Sequence, residues 1–306
     1  MASHSTARKM LLAAMAVVAA CMLVPYGMWL IYPFDLVGTF IHEAGHALAA
    51  VVTGGSVEQF VIRLDTSGYV SYRGGVRLIA TPAGYLASVV VGAALLVAGT
   101  QATRVRTALW STAGGLLIVT AFFSGYGASL LAFGAFVSGL LMCSYARTSG
   151  SQAQAALHST AITSPRRPAR SWSRRLALFA GLALMGGALA YMFITGGLLA
   201  WAVGGLMALV LWSVAAYAPP RWQQGTVIFL GVQLALDGLN SILTLWTLTR
   251  SGHAHNDAAT MAGLTGLPAE VWAVAWGLLS LLVIAGALRH YGRRSQTPFD
   301  GASGTV

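Results

Sequence analysis

The sequence predicts an all-α polytopic membrane protein of about nine transmembrane helices, with one short β-hairpin following the second of them. Three observations carry that prediction. Of 306 residues, 57% are hydrophobic and only 8% are charged, against roughly 25% charged in ordinary globular chains, so polar side chains are too few to coat a soluble body. Apolar runs close to the about 20 residues that a helix needs to cross hydrocarbon recur along the chain. Polar stretches at 54–76 and 148–175 break the pattern. The composition excludes disorder, because there is ample apolar surface to bury. With Cys21 and Cys143 as the only cysteines, a disulfide scaffold is excluded too. The net charge of +10 points to membrane lipids as partners rather than to nucleic acid, because the arginines flank apolar runs, where they anchor helices to anionic headgroups.

The runs cover residues 10–32, 34–52, 79–99, 108–123, 126–145, 176–194, 197–218, 225–248 and 268–288, all within one membrane domain spanning 1–306. The first follows Arg8 and Lys9 and contains Val18, Ala19, Ala20 and Cys21, a pattern like a lipoprotein cleavage site. Its apolar character continues from Met22 to Tyr32, which fits an uncleaved anchor helix better. The fourth and fifth runs are parted only by Ser124 and Gly125, as a tight helical hairpin or one helix with a re-entrant piece would be. Between the second and third, residues 57–64 and 69–73 are rich in β-branched and aromatic side chains and flank the turn formers Asp65, Thr66, Ser67 and Gly68, which predicts a hairpin. Residues 148–175, rich in Ser, Thr and Ala and then basic through Arg166, Arg167, Arg170, Arg174 and Arg175, are expected as a flexible linker against headgroups. The tail 293–306 is expected to be flexible. Nine crossings with Arg8 and Lys9 inside would place the hairpin inside and the arginine cluster outside, against the positive-inside rule, so the count through 108–145 is where orientation turns.

The second run holds Ile41, His42, Glu43, Ala44, Gly45 and His46. Residues four apart share a helix face, so His42 and His46 can turn imidazole nitrogens toward one zinc ion, with Glu43 beside them to take a proton from zinc-bound water. Gly45 leaves room for another helix to come close. Such polar side chains in mid-bilayer are costly unless partnered, which favours a metal site over chance. Catalytic zinc usually has three protein ligands. Of the eight acidic residues, only Asp237, apart from Glu43, falls at the centre of an apolar run, about 18 Å from its start along a helix. Asp237 is therefore the expected third ligand, with Asn240 one turn onward to orient a carboxylate.

These residues resemble the site-2 protease family of intramembrane zinc metalloproteases, particularly its small bacterial branch. The likeness rests on His42, Glu43 and His46, on Thr53, Gly54 and Gly55 after that helix, on Pro82, Ala83, Gly84, Tyr85 and Leu86 opening the next, and on Leu236, Asp237 and Gly238. It covers 34–99 and 225–288. It implies one zinc ion held by His42, His46 and Asp237, Glu43 as general base, and hydrolysis of peptide bonds in membrane-protein or peptide substrates at a bacterial cell membrane. The Asn- and Pro-rich lead-in to the Asp motif is missing, as is a PDZ-like insert. The small branch also resembles this chain in an Asp followed by Ala, which makes Asp257 an alternative ligand or a supporting group, and His253 or His255 beside it is a further candidate to bind metal; the plain reading is a solvated loop capping the next helix. Trp272 and Trp276 are expected as a packing stripe, and Glu270 at a helix N-terminus. A metal-ion transporter or a catalytically silent membrane scaffold are the alternatives.

Overall fold

The computed structural model describes residues 4–126, 129–159, 169–194, 197–251 and 256–294. Helix α1 (His4–Leu23) leads into α2 (Met28–Val52), which carries the zinc motif. Strands β1 (Ser56–Ile62) and β2 (Gly68–Arg73) follow, then α3 (Arg77–Gly99), α4 (Ala102–Phe123), a two-residue β3 (Gly125–Tyr126), α5 (Ser129–Ser159), α6 (Ala169–Ile194), α7 (Leu198–Tyr217), α8 (Pro220–Arg250), the short α9 (Asp257–Thr265) and α10 (Ala269–Arg294).

Among the described residues six helices are long and apolar enough to cross a membrane, within α3, α4, α6, α7, α8 and α10, and Leu131–Ala146 of α5 is a shorter apolar stretch. That is fewer than the nine expected. Helix α2 falls outside the six although it is 25 residues long, because Asp35, His42, Glu43 and His46 dilute its apolar character. The fourth and fifth runs are neither a tight hairpin nor a single helix. Helix α4 packs chiefly on α7 and α5 on α6, and β3 lies between them. The stretch expected as a linker is largely helical, with α5 running to Ser159 and α6 starting at Ala169. Its Arg166 and Arg167, like residues 295–306 of the tail, lie outside the described residues.

The hairpin forms where expected, and it gains a third strand. β1 and β2 pair antiparallel from Ser56↔Arg73 to Ile62↔Gly68, with an irregularity between Val57 and Gln59. The turn is closed by the Arg63 amide donating to the Ser67 carbonyl at 2.8 Å. The Asp65 carboxylate accepts from the Ser67 hydroxyl at 2.6 Å and the Ser67 amide at 3.0 Å; those two bonds hold its carboxyl below the usual carboxylate range. β3 pairs with the far edge of β1 through Gln59↔Tyr126 and Phe60↔Gly125. The sheet order is β2-β1-β3, so β1 is central.

The main core is built on Phe40 and Ala47 of α2, Phe60 of β1, Leu109 of α4, Leu211 of α7 and Leu234 of α8. Gly45 gives the close approach expected of it: a Cβ there would stand 2.5 Å from the Ala83 carbonyl oxygen, so α2 and α3 touch backbone to backbone. The helices α3 and α8 meet in the same manner at Gly92 and Gly231, the small-residue packing that membrane bundles favour.

Candidate metal centre

The spacing of His42 and His46 on α2 puts both imidazoles on one face, with ring centroids 4.8 Å apart. The His46 ring is fixed by its far nitrogen. Its Nδ1 donates to the Ala80 carbonyl oxygen of α3 at 2.8 Å, which leaves Nε2 unprotonated and free to act as a ligand. That Nε2 stands 3.1 Å from Nε2 of His42. Two nitrogens on one tetrahedral zinc at 2.0–2.1 Å stand about 3.3 Å apart, so the pair is already set near ligand spacing.

The carboxylate that joins them is Asp257. Its Oδ2 is 3.7 Å from His46 Nε2, and ligand atoms of His42, His46 and Asp257 all lie within 4.8 Å of one another. Asp257 reaches this point as the first residue of α9. The Asn256 side chain caps that helix by accepting from the Ala259 amide at 2.8 Å, and Ala258 and Met261 bury it against the bundle. The capping expected in this loop is therefore present, and it aims Asp257 at the histidines. Burial pushes the Asp257 carboxyl up, opposed by the His46 imidazole and a hydrogen bond from Tyr85. His253 and His255 lie outside the described residues.

Asp237 is elsewhere. Its carboxyl lies against Gly38 of α2, one turn from Asp35, and Gln233, one turn before Asp237 on α8, donates to Asp35 Oδ1 at 2.7 Å. From Gly38 to His42 is four residues, about 6 Å along the helix. Asp237 is outside the histidine group. The Gln233 amide is given to Asp35, and among the described residues the buried Asp237 Oδ2 has no hydrogen-bond partner. Asn240, expected to orient a carboxylate, is exposed on α8.

Glu43 is 6% exposed, and the start of β2 lies over it. A Cβ on Gly68 would stand 2.8 Å from Glu43 Cγ and 3.0 Å from Oε1. The turn is held there by the Thr39 hydroxyl of α2, which donates to the Thr66 carbonyl oxygen at 2.6 Å. From α3, Gly84 faces His46 so closely that an added Cβ would strike Nε2. Tyr85 packs edge-on against His42, with centroids 4.6 Å apart, and its other flank stacks on Trp276 at 5.2 Å. The motif of α2 and the Asp257 loop were visible in the sequence; the roles of Gly68 and Gly84 were not, since nothing local marks a glycine that faces a side chain from another element.

Two soft imidazole nitrogens and one carboxylate oxygen form a donor set that suits zinc, and the buried glutamate beside them is placed to handle protons. A model of the Peptidase M50B-like family matches residues 12–164 and 168–287, a span that includes every residue of this cluster. No curated protein and no solved structure matches the chain. With its six apolar helices, the match makes the chain an integral membrane protein. Because that match covers most of the 306 residues, the chain belongs to the Peptidase M50B-like family, in the site-2 protease group of membrane metalloproteases.

Proposed function

We propose that this protein is an intramembrane zinc endopeptidase that cleaves peptide bonds of membrane-associated substrates. The observation that carries the reading is the convergence of His42 Nε2, His46 Nε2 and an Asp257 oxygen within 4.8 Å beside the buried Glu43. His42, His46 and Asp257 would hold one zinc ion, which, when bound, supplies the Lewis acidity that activates a water and polarises the scissile carbonyl. Glu43 accepts the proton released as the water oxygen attacks the carbonyl carbon, and returns it to the amine as the C–N bond breaks. The Ala80 carbonyl keeps His46 in the tautomer that leaves Nε2 to the metal. A substrate segment must be unwound to be cut, and an extended segment is best bound by pairing with a sheet edge. β1 lies between β2 and β3, so among the described strands the open edge beside Glu43 is that of β2, whose first residue, Gly68, touches that side chain.

The test is the variant Glu43→Gln in protein reconstituted with a single-span model substrate. The amide is nearly isosteric and cannot take the proton, so zinc content should stay at one per chain while cleavage falls by at least about 100-fold. Turnover near the parent rate would remove Glu43 from the chemistry. A metal-ion transporter draws on one observation, the second polar cluster of Asp35, Gln233 and Asp237; it requires zinc flux across proteoliposomes that Glu43→Gln leaves intact and Asp237→Ala abolishes.

A further inference from the structure

The proposed ligands come from two elements that are far apart in the chain. His42 and His46 stand on α2, whereas Asp257 opens a helix of nine residues. Bringing a carboxylate from so short an element to within 3.7 Å of His46 requires something that fixes its direction. Tyr85 of α3 is 7% exposed and touches both sides of the set. Its hydroxyl lies near the Asp257 side chain, placed to donate to it, and its ring meets His42 edge-on at an interplanar angle of 86°. The ring is itself held from behind by Trp276, stacked at 21°, and Trp276 is 4% exposed. A phenol has one proton to donate, and an ionised carboxylate can only accept. A bond between them therefore runs from Tyr85 to Asp257 and fixes the direction of the carboxylate.

We propose that Tyr85 is a positioning residue of the metal centre, its hydroxyl holding the Asp257 carboxylate toward the two histidines while its ring sets the orientation of His42. The inference rests on the zinc reading above. It assigns Tyr85 to metal retention rather than to contact with substrate, and it makes Trp276 the backing of that residue.

The test uses the full-length protein in detergent and competition for zinc with a chelator. Tyr85→Phe keeps the ring, its contact with His42 and its stack on Trp276, and removes only the donor. Loss of a group that orients a ligand typically weakens metal binding by about 10 to 100-fold, so zinc affinity should fall in that range while thermal unfolding of the zinc-free protein stays unchanged. In an Asp257→Ala background, Tyr85→Phe should have no further effect on zinc affinity, because its partner is gone. Activity of Tyr85→Phe should return to within a few-fold of the parent once zinc is buffered high enough to fill the site. Parent-like zinc affinity in Tyr85→Phe would overturn the proposal, as would a fall in kcat that added zinc does not repair, which would place the hydroxyl on the substrate. A drop in unfolding temperature of the zinc-free protein equal to that of Tyr85→Leu would reduce the residue to packing. Failure of the zinc site itself looks different: His42→Ala would then also leave zinc binding unchanged.

Discussion

Substituting Gly84 by alanine probes how closely the centre is built. An added Cβ would strike His46 Nε2 and lie 2.7 Å from both Cδ2 and Cε1 of the ring. Carbon contacts settle at about 3.5–4.0 Å, so the imidazole or the helix must retreat by about 1 Å. Metal–ligand distances tolerate only about 0.2 Å. The ring has no easy retreat, being 7% exposed and bonded through Nδ1 to Ala80 on the same helix that carries the new methyl. If α3 instead moves off α2, the cost is that of overpacking, about 1–3 kcal/mol. At about 1.4 kcal/mol per tenfold, either route weakens zinc binding by about 5 to 150-fold. Chelator competition measures this directly. Because the effect passes through His46, Gly84→Ala should add nothing to the loss already produced by His46→Ala. Zinc affinity within twofold of the parent would refute the reasoning, since it would mean that the contact between Gly84 and His46 is not made in the loaded protein.

Two further outcomes separate the parts of the site. Asp257→Ala should empty the centre under chelator, whereas Asp237→Ala should keep its zinc, because Asp237 lies outside the group of His42, His46 and Asp257; metal analysis of the two variants reverses the assignment if it finds the opposite. Gly68→Ala places a methyl 2.8 Å from Glu43 Cγ and should displace the base without touching a ligand, so kcat should fall by about 10 to 100-fold at unchanged zinc content, and unchanged kcat would show that β2 does not bear on Glu43.

The histidine face of α2 was legible because its information is local: a helix of 3.6 residues per turn carries His42 to His46 whatever surrounds it. The hairpin was legible for the same reason, through alternating β-branched residues around Asp65 to Gly68. Which carboxylate the fold groups with the histidines was not, because it depends on how α8 and α9 pack against α2, and no spacing within a helix records that. Depth in the apolar run pointed to Asp237 on the sound premise that a carboxylate there needs a partner. In the fold the Asp237 carboxyl lies against Gly38 while Gln233 bonds Asp35, an arrangement visible only once the helices are packed. The two-residue β3 is too short to leave any pattern, and the ends of the expected linker fold as continuations of the apolar helices on either side, α5 to Ser159 and α6 from Ala169.

The turn between β1 and β2 sits at the surface, with Arg63, Leu64 and Asp65 exposed, where chains ordinarily accept extra or missing residues freely. Here that freedom is withdrawn. The turn is tied to α2 at Thr66 and the next strand begins against Glu43 at Gly68, so the single residue between them, Ser67, acts as a ruler. A strand repeats every two residues, and one added residue would turn each following side chain to the opposite face, setting a bulky neighbour where only a hydrogen now fits over the base. The length of an exposed loop is in this way as tightly specified as the interval between the two histidines, and changes in it belong with changes to the catalytic apparatus rather than with surface drift.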